Sequence, residues 1–506
     1  MPTLAELMQQ GRGMPDHHPW PRAIVDVGLW QVAAHRLAQG HATLLGLWGE
    51  AGAVHMALRD EQQVDLGILS LECKDRRFPS ISTLHPPAAR LERAIRDLYG
   101  LKAEGAPDRR PWLDHGRWGM RHPLGDRSQA APATAPEYAF LTAEGEGLHQ
   151  IAVGPVHAGI IEPGHFRFTA NGEAVVRLEE RLGYTHKGID GLMIGADLER
   201  ATKLAGRISG DSTVAYALAF SRAVEAALQI ETPARAHWLR ALMAEMERLA
   251  NHFGDIGAIC NDASFGLMHA QCGILRERVL RAADACFGHR LMRDCVLPGG
   301  VAVALGEDGI ALLRGLIHEA RRRFPALIEL YDNTASLQDR TVGTGVLTPA
   351  LARQYGCGGY VGRASGRDFD ARRALPYPPY DALQFEVRVL TEGDVNARVW
   401  IRIWEVEESL ALIEQILDRL PGGSIRADIA KGPGGTREGM AIVEGFRGDI
   451  LVWLRLDQQG SVARCHLRDP SWFQWPVVEA AIQGNIVADF PLCNKSFNCS
   501  YSGQDL

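Results

Sequence analysis

The sequence predicts an α+β fold made of two domains and a linker. Residues 1–128 mix short strand-like apolar runs with one amphipathic helix, a pattern typical of a small α+β domain. Residues 129–146 begin with an Ala/Pro-rich stretch, which is typical of a linker. Residues 147–506 begin with strand patterns and continue with long helical ones, so we expect a second, mostly helical domain.

Two strands and one helix carry the prediction for the first domain. Residues 42–48 and 66–71 are short, nearly continuous apolar runs, as in buried strands. Residues 87–98 alternate apolar and charged side chains at helical spacing, which predicts an amphipathic helix. Strands and a helix of this length suit a small α+β domain.

The second domain is expected to begin with β-structure and to continue as helices. Strands are predicted at 148–153, 165–169 and 174–178, because Asn171-Gly172 is a hairpin-turn signal between the last two. Apolar residues at helical spacing then predict four long helices, at 213–230, 234–253, 272–287 and 397–420. Pro421-Gly-Gly ends the last of these helices. The final hundred residues are expected to return to shorter strands and loops.

Composition and charge exclude several classes of protein. The chain has 506 residues, 46% of them hydrophobic, and a formal net charge of −7, so no polybasic surface for nucleic acid or lipid is expected. The first eleven residues lack a basic stretch followed by an apolar run, so we expect no signal peptide. No apolar run approaches the 18 or more residues of a spanning helix.

The nine cysteines are scattered, and none forms a C-x-x-C pair. A cytosolic chain rarely keeps structural disulfides, so free, buried thiols are expected. Closely spaced cysteines for an iron–sulfur cluster are absent from the sequence, as is a G-x-G-x-x-G motif for direct NAD binding.

Motifs in the first domain resemble the small peripheral-arm subunit of respiratory complex I. That subunit has an E-R-E-x-x-D-[ML]-[FY]-G helix followed by P-D-x-R. Residues 91–101, Leu-Glu-Arg-Ala-Ile-Arg-Asp-Leu-Tyr-Gly-Leu, match the helix except that Ala94 replaces its second glutamate. Residues 107–110, Pro-Asp-Arg-Arg, match the second motif, and Pro79-Ser-Ile-Ser and His122-Pro-Leu also fit.

The second domain resembles the large subunit of group 4 membrane-bound [NiFe] hydrogenases, a family related to the quinone-site subunit of complex I. Its motifs follow the family's order along the chain, and the resemblance spans roughly residues 60–506. The matching segments are 154–157, 162–167, 183–188, 247–252, 299–302, 339–345, 363–366, 393–395, 468–471 and 485–498. The resemblance implies a hydrogenase-large-subunit-like fold.

The four positions aligned with the nickel ligands of that family carry no cysteine. Arg207-Ile-Ser209-Gly-Asp-Ser212 stands where the family has R-x-C-G-x-C. Asn498-Cys-Ser500-Tyr-Ser-Gly503-Gln-Asp505 resembles the family's D-P-C-Y-S-C-T-D segment, with Ser500 and Gly503 at its two cysteine positions. Nickel sites of this type need four thiolates, since hydroxyls are poor ligands for nickel. Ser209 or Ser212 is instead expected to cap the helix that follows. The nearby Cys493 and Cys499 do not restore a C-x-x-C pair.

A quinone site is a second alternative that the resemblance raises. In complex I the same helix start reads R-L-D-Y, and its tyrosine donates a hydrogen bond to the quinone head group. The matching position here is Gly210, which has no side chain. Neither His157 nor His165 can be assigned as the partner histidine, so we expect no complex-I-type quinone site.

The resemblance also points to residues outside the ligand positions. The glutamate of E-P-G-H-F-R, here Glu162, passes protons in the hydrogenase relatives, and we expect it to do so with His165 as companion. Lys187 matches an arginine that lies near the terminal iron–sulfur cluster of complex I. Asp370 and Arg372 match a D-x-R pair and are expected to form a structural ion pair.

Together these features favour a peripheral-arm large subunit of a complex-I-like, hydrogenase-4-related membrane oxidoreductase. Such an assembly couples electron transfer to proton or sodium translocation, and this chain would lack its own NiFe centre. Two alternatives stay open: an active [NiFe] hydrogenase or NADH dehydrogenase-type quinone reductase subunit, and a non-redox scaffold of a membrane transport complex.

The same resemblance implies the surroundings of the chain. No cofactor is expected on the chain itself, with NiFe and quinone both disfavoured, and an iron–sulfur cluster is expected in a small partner subunit. Antiporter-like and quinone-site-type membrane subunits are the other expected partners, and nucleic acid is not one. We expect a peripheral position on the cytoplasmic face of the inner (cell) membrane, with membrane contact only through partners.

Overall fold

The computed structural model describes residues 1–61, 63, 65–126, 129–130, 137–158, 161–429 and 434–506. Of the predicted linker, residues 131–136 therefore lie outside the described residues. The chain combines sheets with a large helical body, which confirms the predicted α+β class.

The first part of the chain folds around a mixed five-stranded sheet. In spatial order its strands are Arg12–Gly13, Arg22–Val25, Leu66–Glu72, Ala53–Asp60 and Ala42–Glu50. The second and third of these are parallel, and the other pairs are antiparallel. Three helices and four short strands accompany the sheet: Leu4–Gln10, Val27–Ala38, Ala89–Tyr99, Arg77–Pro79, Lys102–Glu104, Met120–Arg121 and Gln129–Ala130.

The elements predicted for this region are confirmed. Strands form at both predicted positions, and each is longer than its apolar run. The predicted helix begins at Ala89, after a 3-10 turn at Pro86–Ala88. It ends at Tyr99 because Gly100 adopts a left-handed conformation with φ 70°, which glycine reaches without steric cost.

The predicted hairpin is also confirmed. Strands Leu148–Val153, His165–Asn171 and Ala174–Arg181 form an antiparallel three-stranded sheet. The turn closes at Gly172, whose φ is 58°. This sheet ends directly before the segment 183–188, so it carries that segment to the candidate site.

Long helices form the body of the second part of the chain. The four predicted ones occur as Thr213–Leu228, Ala234–Asp262, Gly266–Phe287 and Val395–Arg419. The second runs nine residues past its predicted end, because Ile256, Ile259 and Cys260 continue the buried face. Sequence reasoning did not single out the helix Glu307–Asn333. Short elements complete this body: Ile189–Met193, Leu198–Ala205, Val296–Leu297, Gly300–Val301, Ala335–Thr341, Pro349–Gln354, Gly359–Arg363 and Ala371–Ala374.

A four-stranded sheet joins the two ends of the chain. Its order is Val462–Arg468, Gly448–Leu456, Arg437–Gly445 and His17–His18, and the last strand pairs in parallel with the third. The prediction of strands and loops to the end of the chain was only half right. After Arg468 the chain forms helices instead of strands: Ser471–Ala481, Val487–Asp489 (3-10), Phe490–Phe497 and Tyr501–Asp505.

A buried ionic network sits at the centre of the helical body. Arg372 donates to Asp370 at 2.7 Å and to Glu245 at 3.0 Å, which confirms the predicted Asp370–Arg372 pair. Arg363 donates to Glu405 at 2.6 Å in the same network. These groups are almost fully buried, so removing a guanidinium would leave a buried carboxylate whose charge is uncompensated.

All nine cysteines are free and buried, as predicted. Among the helices of the described residues, none is both long and apolar enough to cross a membrane.

Candidate functional site

The turn before one helix and the start of another bring the four ligand-aligned positions together. Ser209 and Ser212 precede the helix Thr213–Leu228, and Ser500 is the N-cap of the helix Tyr501–Asp505. The Ser500 hydroxyl donates to Ser209 Oγ at 3.3 Å, and the Gly503 amide donates to Ser500 Oγ at 2.9 Å. All four residues are buried, so their hydrogen bonds are to one another and to the protein around them.

A carboxylate and a guanidinium occupy the middle of this group. Asp211 accepts a hydrogen bond from Ser209 Oγ at 2.6 Å and two from Arg447, at 2.8 and 2.5 Å. Arg447 also donates to Ser212 Oγ at 3.3 Å. Burial alone would raise the pKa of Asp211, but the Arg447 charge and these hydrogen bonds outweigh it and lower the pKa to about 2. Asp211 is therefore ionised at any physiological pH.

Asp469 closes the opposite side of the group. It accepts hydrogen bonds from the Tyr216 hydroxyl at 2.5 Å and from the Ser471 amide at 2.8 Å. A Cβ atom at position 503 would collide with Asp469 Oδ2 and would lie 2.8 Å from Ser500 Oγ. Position 503 therefore has no room for a cysteine side chain unless Asp469 moves.

The prediction that Ser209 or Ser212 caps the following helix is wrong. Ser212 stands at the N-cap position, but its side chain makes no capping hydrogen bond. Glu247 reaches across from the helix Ala234–Asp262 and accepts from the amides of Val214 at 2.6 Å and Ala215 at 3.0 Å. A carboxylate satisfies two helix-start amides at once, whereas a serine hydroxyl satisfies one. Burial raises the pKa of Glu247 to about 8, although these amides lower it.

Glu162 and His165 lie on different sides of their loop. Glu162 is exposed, and its Oε2 accepts from the Ser502 amide at 3.0 Å. His165 is buried against Phe140, with Nε2 unpaired. No hydrogen bond joins Glu162 to His165. His157 and His186 contact the last helix instead: His157 Nε2 lies 3.3 Å from the Tyr501 hydroxyl, and His186 Nδ1 lies 2.7 Å from the Asp505 carbonyl oxygen.

Asp505 is a buried carboxylate that sequence reasoning did not select. It accepts hydrogen bonds from the Gly183 amide and from both the amide and the hydroxyl of Thr185, at 2.7–2.9 Å. Burial and, to a smaller extent, the negative charge of Glu162 raise its pKa to about 6 against these hydrogen bonds. Asp505 matches the last residue of the motif that contains Ser500 and Gly503, which is the signal that could have identified it.

Lys187 and Arg207 contact the protein at the start of the turn that carries Ser209 and Ser212. Lys187 Nζ donates to the carbonyls of Arg207 at 3.1 Å and Ile208 at 2.7 Å. Burial lowers the pKa of Lys187, while the charges of Glu162 and Asp505 oppose that shift. Arg207 points away from the serines and forms an exposed two-bond salt bridge with Asp294, at 2.6 and 2.8 Å.

Comparison with known proteins gives the family. Over 450 residues the chain is 31% identical to formate hydrogenlyase subunit 5 of Escherichia coli strain K12, covering 86% of this chain and 78% of that protein. This chain belongs to the hydrogenase and respiratory-chain NADH dehydrogenase family. It is also 32% identical over 446 residues to hydrogenase-4 component G of the same organism, covering 86% of this chain and 77% of that protein.

Three family models match successive parts of the chain. The model for the 30 kDa subunit of respiratory-chain NADH dehydrogenase matches residues 49–133, and that for nickel-dependent hydrogenase matches 187–254. The model for the 49 kDa subunit matches 268–433 and 431–505. A solved structure of the membrane-bound sulfane sulfur reductase, an archaeal respiratory membrane complex, has a chain with a TM-score of 0.68 and 26% identity. It covers 71% of this chain and 99% of that one.

The residues present do not fit the nickel–iron centre of the hydrogenase branch of this family. Three of the four positions carry serine hydroxyls, which are poor nickel ligands, and the fourth is a glycine without a side chain. The hydroxyls form hydrogen bonds with Asp211, Arg447 and each other. Burial raises the pKa of Cys493 to about 11 and that of Cys499 well above its usual value, so both keep their protons. Within the described residues, no group of three or more His, Cys, Asp or Glu is arranged to hold a metal ion.

Beside the network is a cavity too small for a typical ligand. It measures about 130 Å³ and lies between Gly210, Asp211, Glu247 and the helix Gly266–Phe287. Ligand pockets usually measure about 300–1,000 Å³. Gly210, which matches the quinone-binding tyrosine of complex I, lines this small cavity.

We expect Arg447→Leu to lower the free energy of unfolding by about 2 kcal/mol, because Asp211 would lose its salt bridge to a buried guanidinium. The loss is smaller than for a fully buried pair because the Asp211 side chain is 34% exposed. Urea unfolding of the purified chain measures this change in the free energy of unfolding. As a control, Arg207→Leu removes an exposed pair and should cost less than about 1 kcal/mol. Equal losses in the two variants would contradict a structural role for the Asp211–Arg447 pair.

Proposed function

We propose that this chain is the peripheral-arm large subunit of a complex-I-like, hydrogenase-4-related membrane oxidoreductase without a NiFe centre of its own. The assembly would couple electron transfer to proton or sodium translocation. The observation that carries the proposal is the replacement of four thiolates by Ser209, Ser212, Ser500 and Gly503, within a hydrogen-bond network that already satisfies them. Loss of the metal ligands inside an intact family fold favours a subunit that acts with partners.

The partners proposed are an iron–sulfur small subunit and antiporter-like and quinone-site-type membrane subunits. Support comes from the relatives, which are a formate hydrogenlyase subunit, a hydrogenase-4 component and a chain of a respiratory membrane complex. The chain would lie on the cytoplasmic face of the inner (cell) membrane and touch it only through these partners. The proposed domain boundaries are residues 1–128 for the first domain, 129–146 for the linker and 147–506 for the second domain.

Glu162 and Asp505 are the proposed proton-carrying residues, and Lys187 is proposed to face the partner's cluster. Asp505 has a pKa of about 6, so it exchanges a proton near physiological pH, and the charge of Glu162 acts on it. Glu162 is exposed and reaches the last helix through the Ser502 amide. A proton taken up by Glu162 would therefore ease ionisation of Asp505, which gives a two-carboxylate relay at the edge of the network. His165 stays a hypothesis as a companion, and the relay proposed here does not use it.

A non-redox scaffold is the alternative, and Glu162→Gln separates the two. Glutamine keeps an oxygen for the Ser502 amide but cannot take up and release a proton. Ion translocation by the purified complex should therefore fall at least about tenfold. The matched control is Glu173→Gln, an exposed glutamate in the hairpin turn, which should leave translocation unchanged. Translocation and electron transfer that are equal in wild type and Glu162→Gln would favour a scaffold.

A further inference from the structure

A large open groove is lined mainly by the first part of the chain, and its wall residues Gly183 and His186 contact Asp505 of the last helix. One cleft of about 1210 Å³ runs between the C-terminal end of the helix Ala89–Tyr99 and the segments 114–122 and 183–186. A second cleft of about 490 Å³ adjoins it along the same helix. The two share Arg77, Arg96 and Lys102 in their walls, so we treat them as one basic groove.

The basic groove holds cations that have no carboxylate partner among the residues that the structure describes. For six of its basic side chains, the described part of the chain places no Asp or Glu oxygen within 4.0 Å: Arg76, Arg96, Lys102, Arg109, Arg117 and Arg121. The whole chain has a formal net charge of −7, so this positive surface runs against the balance of the molecule. Uncompensated cations of one sign in a cleft attract an oppositely charged partner.

Most acidic residues in the walls are already engaged. Asp97 is buried and accepts from the amides of Trp112 and Leu113, at 2.6 and 2.8 Å. Glu92 is buried and accepts from Ser82. Asp108 pairs with Arg110 at 2.7 Å. None of these three carboxylates lies within 4.0 Å of the six cations, so none forms an ion pair with them.

The size and the rim of the groove indicate a polypeptide. Its larger cleft exceeds the about 300–1,000 Å³ of small-molecule pockets. Trp118 and Tyr184 line it, and Tyr184 is 38% exposed. Nearby in the sequence, Met120 is 44% and Val156 is 78% exposed. Aromatic residues, methionine and arginine are the side chains enriched at protein–protein interfaces.

We propose that the basic groove binds an acidic segment of another subunit. Carboxylates of that segment would pair with Lys102, Arg117 and Arg121, and its apolar side chains would pack on Trp118 and Tyr184. Charge complementarity of this kind sets partner choice and association rate more than affinity, and it weakens as salt rises. This inference rests on the proposed membership of a multi-subunit assembly, but it does not depend on the redox assignment, because the charge and shape of the groove carry it.

A photo-cross-linker identifies the occupant in the native complex. Trp118→p-benzoylphenylalanine, irradiated in the complex purified through this chain, should cross-link to a segment of a different subunit rich in Asp and Glu. Cross-links to a neutral or basic segment, to a second copy of this chain, to nuclease-sensitive material or to nothing would each overturn the proposal.

Charge reversal gives a second, independent readout. The triple variant Lys102→Glu, Arg117→Glu and Arg121→Glu should reduce co-purification of the cross-linked subunit at least tenfold. The control triple, Arg200→Glu, Arg322→Glu and Arg353→Glu, changes exposed cations outside the groove and should alter it less than twofold. Equal retention or equal loss in the two triples would contradict the proposal. A failed Glu162→Gln test would leave these results unaffected, so the two proposals fail separately.

Discussion

Gly503→Ala is expected to lower the free energy of unfolding by about 4 kcal/mol. The added methyl group would collide with Asp469 Oδ2 and lie 2.7 Å from Asp469 Cγ, so the carboxylate must move. Moving it breaks the hydrogen bonds from the Tyr216 hydroxyl and the Ser471 amide, which leaves buried polar groups unsatisfied. Chemical unfolding of the purified chain, followed by circular dichroism, measures the loss.

Gly210→Ala is the matched control within the same network. Its added methyl would meet no atom closer than the Arg293 side chain at 3.9 Å, so little change in stability is expected. If Gly503→Ala proved as stable as Gly210→Ala, position 503 would have room for a side chain. A fourth thiolate could then fit at position 503.

Glu247 should make stability fall as pH rises from about 5 to about 8. Its pKa is about 8 in the folded chain, against about 4.5 when exposed in the unfolded chain, so in that range only the folded chain binds the proton. The contribution is complete at low pH and is lost as pH rises through about 8. The free energy of unfolding of wild type relative to Glu247→Gln should fall by about 1.4 kcal/mol for each pH unit.

Comparing wild type with Glu247→Gln at each pH removes the contributions of other groups. Asp505, with a pKa of about 6, titrates in the same range but is present in both proteins, so its effect cancels in the difference. A difference that stays constant between pH 5 and 8 would show that Glu247 is ionised throughout. The helix cap would then be a permanent carboxylate that does not release with pH.

The sequence predicted those parts of the fold in which local pattern and tertiary burial agree. The hairpin at 165–181 and the helix Thr213–Leu228 are examples, because a turn signal or a continuous apolar face specifies each one. The helices after Arg468 were missed, since short helices that are buried on several sides show no clear polar–apolar period. The pairing of His17–His18 with Arg437–Gly445 joins residues more than 400 positions apart, and no local signal encodes it.

The sequence selected the four motif positions that the structure brings together, but it did not reveal which side chains surround them. Motif spacing located Ser209, Ser212, Ser500 and Gly503, and the structure places these four within one network. The groups that fill the network were harder to find. Arg447 stands in the short turn between two strands, where an arginine is usually a solvent-exposed residue. Its role comes from the pairing of those strands behind the site, which the sequence alone does not reveal.

Local and long-range contacts also differ in which side chain caps each helix start. A serine before a helix is the expected cap, and Ser500 is one, since it accepts the Gly503 amide. At Ser212 the capping role passed to Glu247, which arrives from a helix that begins about twenty residues later in the chain. Long-range packing therefore decided which side chain satisfied the helix start.

Nickel and iron content of the native complex, purified anaerobically through this chain, tests the central claim most directly. We expect iron, carried by clusters of a partner subunit, and no nickel above background, because the four ligand positions offer hydroxyls and a glycine. Nickel in a one-to-one ratio to this chain would contradict the account. It would restore a hydrogenase assignment and make Cys493 and Cys499 the first candidate ligands.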